Sequence, residues 1–126
     1  MVPVMRLTLD SDPRINLVRR YEPGLIVIGE QHITRPCIVT PQQLLLDWSA
    51  SSIDELSEAQ LEPLWALGAD IALMGAGERQ EFPGAGIRAA FRSRGIALEC
   101  MSLGAACRTY NILANEARSV LAGLFP

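Results

Sequence analysis

The sequence predicts a single α/β domain over residues 1–126, with an antiparallel, β-rich N-terminal part and a βαβα C-terminal part that ends in a long helix. Its length fits one hydrophobic core, since two halves of about 60 residues would each be marginally stable. Apolar residues make up 49% of the chain, and its 10 glycines and 8 prolines are scattered rather than clustered, as in globular proteins. These observations favour one folded unit of mixed secondary structure.

Short strands and turns are predicted for the N-terminal third. Leu7 and Leu9 alternate with polar residues, as in a half-buried strand. Pro23 and Gly24 suit the two central positions of a type II turn between two strands. Residues 37–40 follow as a short buried strand, so this part of the chain is expected to be antiparallel β-structure.

Two capping patterns predict helices in the middle of the chain. Residues 40–43, Thr-Pro-Gln-Gln, have the order of a capping box with proline at the first helical position, which predicts a short helix through Trp48. Ser57 and Gln60 repeat the pattern before a second helix. Pro63 requires that second helix to be short or to begin late.

Continuous apolar strands that alternate with helices are predicted for the C-terminal half. Residues 71–74 form one apolar run, and residues 96–101 form another after a helix that stops at Gly95. Such strands are typical of a sheet that is covered on both faces and at least partly parallel. The final helix is predicted from residue 103 to residue 124, because apolar residues recur there at spacings of three and four.

Composition excludes several classes of function. All 11 basic residues are arginine, and the absence of lysine excludes Schiff-base chemistry and a phosphate-loop lysine. The formal charge of −3 is spread along the chain, so nucleic acid is not an expected partner. No apolar run approaches the roughly 20 residues of a membrane span, and residues 1–6 lack a signal-peptide pattern. The sequence therefore predicts a cytoplasmic protein.

Catalytic machinery is not evident in the sequence. Cys37, Cys100 and Cys107 are expected to be reduced thiols, because no secretory signal accompanies them. Cys107 lies near the start of a helix, where the dipole favours a thiolate, yet its place in the apolar stripe favours a buried, inert thiol. No motif ties the single histidine, His32, to it, and no spacing is typical of a metal site. We predict no catalytic residues, metal or cofactor, and a redox role for Cys107 is the open alternative.

Two polar segments, residues 75–80 and 107–111, are the candidates for a binding site. The first follows a buried strand and precedes a helix, where backbone amides hold anions. Ligands of open α/β sheets bind beyond the carboxyl ends of parallel strands, where both segments are expected to lie. The predicted binding residues are Gly75, Gly77, Glu78, Arg79, Arg108, Thr109 and Asn111.

Each part of this site has a structural alternative. The two glycines equally suit a tight turn, and the third glycine of a dinucleotide fingerprint is missing. Arg79 and Arg108 are candidates for binding an anion or carboxylate, whereas Glu78 paired with either of them would make a purely structural ion pair. Residues 19–21, Arg-Arg-Tyr, are either a contact surface or an exposed hairpin end.

Four motifs in order along the chain carry a family resemblance: RRYEPG at 19–24, IVTP at 38–41, GAGERQ at 75–80 and AACRTYN at 105–111. The chain resembles a domain-of-unknown-function family that includes assembly factor 3 of mitochondrial respiratory complex I and uncharacterised bacterial and archaeal relatives. The resemblance implies a three-layer α/β fold with a mixed central sheet. It implies no settled activity, because the eukaryotic members are assembly chaperones and the prokaryotic ones are mostly uncharacterised. The arginine-only basic set hints at a bacterium with a GC-rich genome.

The function expected from these observations is that of a non-enzymatic protein-interaction or assembly-factor-like domain, with another protein as its partner. The alternative is a domain that binds a small molecule, an anion or a carboxylate, and is enzymatic or not, through residues 75–80 and the start of the last helix. The sequence leaves the oligomeric state open.

Overall fold

The computed structural model describes residues 5–6 and 14–126, which form two β-sheets and three α-helices. Leu7 and Leu9, for which the sequence predicts a strand, lie outside the described residues. Within the described part of the chain no helix is both long enough and apolar enough to cross a membrane.

The first sheet is antiparallel and has the strand order β1-β2-β3-β4. Its strands are β1 (Met5–Arg6), β2 (Val18–Glu22), β3 (Leu25–Ile28) and β4 (Gln31–Ile33). Gly24 closes the β2–β3 turn with φ of 83°, a left-handed conformation that glycine adopts without steric cost. The antiparallel N-terminal part predicted from the sequence is therefore confirmed.

The second sheet is mixed, with the order β6-β5-β9-β7-β8. Its strands are β5 (Cys37–Val39), β6 (Leu44–Leu45), β7 (Ile71–Ala76), β8 (Ala97–Met101) and β9 (Val120–Phe125). Strand β7 runs parallel to both β8 and β9, whereas β5 runs antiparallel to β9 and β6. The βαβ arrangement of β7 and β8 places their carboxyl ends side by side.

Helices cover both faces of the mixed sheet. Helices α1 (Glu58–Trp65) and α2 (Ala85–Ser93) pack on one face around Phe91, Ile53 and Leu121. Helix α3 (Leu103–Asn115) packs on the other face, where its buried side chains also contact the antiparallel sheet. The predicted three-layer α/β fold with a mixed central sheet is confirmed.

The helix predicted after Thr40 is wrong, because this segment forms a hairpin. The Thr40 hydroxyl accepts hydrogen bonds from the N–H groups of Gln42 at 3.3 Å and Gln43 at 3.0 Å, so the capping contacts do form. The chain then pairs β6 with β5 instead of continuing as a helix. A threonine side chain that caps the next two amides serves a tight turn as well as a helix start, and pairing within the sheet decides between them.

The last helix is shorter than predicted, because residues 120–125 form β9 instead of further helical turns. Ala117 is left-handed, with φ of 59°, and the Arg118 N–H donates to the Leu113 carbonyl at 2.9 Å, which is the closing bond of a Schellman motif. All six residues of β9 are buried, as expected for a central strand covered on both faces. The same apolar run fits a buried helix and a buried strand, and the sequence pattern did not separate them.

Replacing Ala117 with glycine is expected to raise the free energy of unfolding by about 1 kcal/mol, because glycine adopts the left-handed conformation without a Cβ clash. Chemical denaturation measures the change. Ala89→Gly, at an exposed position inside α2, is the matched control and should lower stability by about 1 kcal/mol. A loss of stability in both variants would contradict the role given to Ala117.

Candidate functional site

The two polar segments predicted as a binding site meet at the carboxyl ends of β7 and β8. The loop 77–84 leaves β7, and α3 begins two residues after β8 ends. The N–H of Leu103, the first residue of α3, donates to the Gly77 carbonyl at 2.9 Å. One backbone hydrogen bond thus ties the glycine loop to the start of the helix.

Gly75 and Gly77 have separate structural roles in this contact. A Cβ on Gly75 would lie 2.4 Å from the Cβ of Ala106 and 3.2 Å from the Cα of Leu103, so only glycine lets β7 approach α3 this closely. Gly77 has φ of 55°, which turns the chain away from the sheet. The alternative noted from the sequence, glycines suited to a tight turn, describes Gly77 well, whereas Gly75 serves close packing.

A cleft of about 700 Å³ opens beside this junction. The β2–β3 turn forms its second wall, which the site predicted from the sequence does not include. The lining residues come from three segments that are far apart in the chain and from residue 126: Tyr21, Glu22, Pro23, Gly24, Gly77, Glu78, Ser102, Leu103, Gly104, Arg108 and Pro126.

Tyr21 and Arg108 join the two walls of the cleft. The Arg108 guanidinium donates a hydrogen bond from Nη1 to the Tyr21 hydroxyl at 2.5 Å. The Tyr21 ring lies directly on Gly104, where a Cβ would come within 2.6 Å of the tyrosine oxygen. The Arg-Arg-Tyr segment, considered from the sequence as a contact surface or a hairpin end, therefore contributes a buried ring to the cleft. The spacing of apolar residues gives no sign of this contact, because it depends on how the antiparallel sheet packs on α3.

The predicted binding residues divide into three groups. Gly77, Glu78 and Arg108 line the cleft, and Gly75 lies buried beneath it. Arg79 is exposed and Thr109 is half-buried, and neither is among the described residues that line the cleft. The alternative was an ion pair of Glu78 with Arg79 or Arg108. Among residues 14–126 neither ion pair forms, and Arg108 contacts Tyr21 instead.

Asn111 occupies a buried position between α3 and β2, with 1% of its surface exposed. Its side-chain amide donates to the Val18 carbonyl at 2.8 Å, and its carbonyl oxygen accepts from the Val18 N–H at 2.9 Å. Both polar groups of the side chain therefore form hydrogen bonds with the backbone of β2. Asn111 fixes the position of the antiparallel sheet against the helix that supplies Arg108.

The charges around the cleft are of both signs. Arg108 and the amino end of α3, with its positive helix dipole, lie on one side. Glu22 and Glu78 also line the cleft. The Ser102 hydroxyl caps the helix by accepting from the Ala105 N–H at 3.3 Å, so it is engaged in structure. The cleft therefore offers contacts for both positively and negatively charged groups.

The cysteines are buried core residues. Cys107 has no exposed surface, and burial raises the pKa of its thiol to about 12, with the neighbouring Cys37 adding to the effect and Arg108 opposing it. Burial likewise raises the pKa of Cys37 to about 12. The expected burial of Cys107 is confirmed, and the redox role considered for it lacks the exposed thiolate that it requires. Within residues 14–126 no group of three or more His, Cys, Asp and Glu side chains is placed to hold a metal.

Fold and cleft together define a three-layer α/β protein with an open cleft at the carboxyl ends of two parallel strands. The family model described as "Protein of unknown function (DUF498/DUF598)" matches residues 18–125. The chain belongs to this family, as the resemblance of its four motifs indicates.

The chain is similar to proteins of two kinds. The chain is 31% identical over 126 residues to NADH dehydrogenase (ubiquinone) 1 alpha subcomplex assembly factor 3 of Bos taurus, covering 90% of this chain and 67% of the bovine protein. For the human protein of the same name the identity is 30%, over 84% of this chain and 58% of the human protein. A "13 kDa major membrane protein" of Francisella tularensis is 28% identical, over 81% of this chain and 84% of that protein. The chain thus spans about three fifths of the human relative's length.

Solved structures share the fold. A Xanthomonas campestris protein superposes with a TM-score of 0.81 at 33% identity, covering 94% of this chain and 92% of its own. A Bordetella parapertussis protein superposes with a TM-score of 0.82 at 26% identity, covering 92% of this chain and 99% of its own. An outer membrane protein of Bartonella henselae, 23% identical with a TM-score of 0.74 over 90% of this chain and 96% of its own, is similar in fold alone.

Replacing Asn111 with alanine is expected to lower the free energy of unfolding by about 2 to 4 kcal/mol, because it leaves the buried N–H and carbonyl of Val18 without partners. Asn115→Ala, at an exposed position in the last turn of the same helix, should change stability by about 0.5 kcal/mol or less. Denaturant unfolding of both variants provides the comparison. Equal stability of the two variants would show that the Val18 contacts contribute little.

Proposed function

We propose that this protein is a non-enzymatic interaction domain with an assembly-factor-like role, which holds a segment of a partner protein in the cleft between the β2–β3 turn and the start of α3. The convergence of three separate segments on one open cleft of about 700 Å³ carries the proposal. Its similarity to mammalian proteins named assembly factors supports it.

The chemistry of the cleft fits a protein segment better than a reacting substrate. Pro23 and Leu103 supply apolar surface, and Tyr21 and Arg108 are of the residue types enriched at the energetic centres of protein interfaces. Arg108 would attract a carboxylate of the partner, and Glu22 and Glu78 would attract its basic side chains. Charge selection of this kind sets the specificity and rate of association more than its affinity.

The test is affinity capture from the native host with the wild-type protein, Arg108→Glu and Glu78→Arg, followed by quantitative mass spectrometry. We expect at least one protein to be recovered reproducibly with the wild type, and its recovery to fall roughly tenfold with either cleft variant. Arg118→Glu, which changes an exposed arginine outside the cleft, is the charge-matched control for Arg108→Glu and should retain the partner. Recovery that is unaffected by both cleft variants, or no recovered partner at all, would contradict the proposal.

The second candidate function is binding of a small anion or carboxylate, with or without catalysis. The observation that favours it is the placement of Arg108 in the cleft beside the first turn of α3, where the helix dipole favours negative charge. A thermal-shift screen with inorganic phosphate, nucleotides and dicarboxylates tests it, because a ligand that binds only the folded state must raise the melting temperature. A shift that Arg108→Ala abolishes and Arg79→Ala leaves unchanged would favour this candidate over a protein partner.

We place the protein in the cytoplasm, as its sequence predicts. The Francisella relative is named a major membrane protein, so fractionation of host cells is the appropriate check. Recovery in the membrane fraction would overturn this placement.

A further inference from the structure

Strand β8 forms an open edge of the mixed sheet. It pairs with β7, and no other strand of the described chain pairs with its opposite side. The Ala97 N–H donates to the Asp70 carbonyl next to β7, at 3.0 Å. This bond fixes which residues of β8 point their backbone N–H and carbonyl groups towards β7, namely Ala97, Glu99 and Met101. The backbone groups of the alternate residues, Leu98 and Cys100, point away from β7, towards the open edge.

Part of this edge is closed by the protein's own side chain. The Gln80 amide donates to the outward carbonyl of Cys100 at 2.8 Å, as the backbone of a neighbouring strand would. The edge around Leu98 has no such cover among the described residues. A groove of about 290 Å³ lies there between α2 and β8, with apolar surface from Phe91, Ile96 and Leu98.

The groove is bordered by positive charge. Arg88 and Arg92, both exposed and one helical turn apart on α2, line it. Residues 85–96 contain three arginines and no acidic residue, although the whole chain has a formal charge of −3. Burial and Glu99 raise the pKa of the Cys100 thiol, whereas Arg88 lowers it, so the Arg88 charge lies near the α2-facing side chains of β8.

We propose that the β8 edge binds an extended acidic segment of a partner protein, which adds to the sheet as a further strand and directs carboxylates towards Arg88 and Arg92. Strand addition supplies affinity through backbone hydrogen bonds, and the alternate side chains supply specificity. The side chains of Leu98 and Cys100 lie on the face of the sheet that α2 covers. The exposed side chain of Glu99 therefore lies on the opposite face. The fitting segment therefore carries acidic residues at every second position and neutral residues between them.

A second copy of this chain fits the edge less well than an acidic partner. Pairing of two β8 strands about a two-fold axis would place both α2 helices on the same side of the joined sheet. Arg88 and Arg92 of the two copies would then face one another, and like charges placed opposite each other oppose association. The charge pattern selects a partner of opposite sign.

Binding of a fluorescent peptide of alternating glutamate and valine, measured by anisotropy, tests the proposal. We expect saturable binding that weakens as salt is raised, because the contacts with the exposed arginines are screened. The doubly substituted R88E/R92E protein should bind at least about tenfold more weakly. The R35E/R118E protein, which changes two other exposed arginines by the same total charge, should bind as the wild type does.

Two further measurements identify the mode of binding. Hydrogen exchange of the Leu98 amide should slow when the peptide is added, since a new strand at the uncovered part of the edge would accept its hydrogen bond. A peptide of the same sequence with N-methyl groups on alternate residues, on the edge facing β8, should fail to bind because it cannot pair with the strand.

Specific outcomes would overturn the proposal. Equal loss of binding in the R35E/R118E protein would indicate general charge attraction, and undiminished binding of the N-methyl peptide would exclude strand addition. Loss of peptide binding in Arg108→Glu, with R88E/R92E unaffected, would place the peptide in the cleft. Because the two surfaces share no lining residue, failure at the β8 edge leaves the proposed function of the cleft to be judged by its own test.

Discussion

The position of helix α3 between the two sheets is the constraint on which the candidate site depends. Gly75 lets β7 approach Ala106 on one side of the helix, and Gly104 lets the Tyr21 ring rest on the other. Asn111 then holds β2 through two hydrogen bonds to one residue of its backbone. The cleft is the space that remains at the amino end of α3 once these three contacts are made, so its shape is set by packing far more than by its own polar residues.

The same helix explains why two of the family motifs contain both core residues and residues of the candidate site. Within residues 105–111, Cys107 and Asn111 face the interior and only Arg108 reaches the cleft. In residues 75–80, Gly75 serves packing, Gly77 and Glu78 line the cleft, and Gln80 covers part of the β8 edge. The residues of one motif thus have different structural roles, and the role of each has to be determined from its own contacts.

Sequence reasoning predicted a partly parallel sheet covered on both faces, helix α1 and the meeting of the glycine loop with the start of the last helix, because each follows from local capping, continuous apolar strands and the geometry of a βαβ unit. The three-layer fold with a mixed central sheet was implied by the family resemblance. It missed β9, since the apolar residues of that strand satisfy a helical spacing too, and the left-handed Ala117 that ends α3 has no sequence signal as strong as glycine would give. It also missed the contribution of Tyr21 to the cleft. That contact joins residues 87 positions apart, and it depends on how the antiparallel sheet packs on α3.

The central place of β9 has a consequence for how the chain reaches its folded state. Residues 120–125 lie between β5 and β7 in the sheet, yet they follow every other described strand in the sequence. No hydrogen bonds join the β5–β6 hairpin directly to the β7–β8 pair, because β9 lies between them. The two halves of the sheet can therefore be joined only when β9 pairs with both. Such long-range pairing slows folding, and during synthesis it delays completion of the sheet until residue 125 has left the ribosome. The mixed sheet is therefore expected to form only when residues 120–125 join it, with the other hydrophobic strands exposed until then, which refolding experiments monitored by pulsed hydrogen exchange would check.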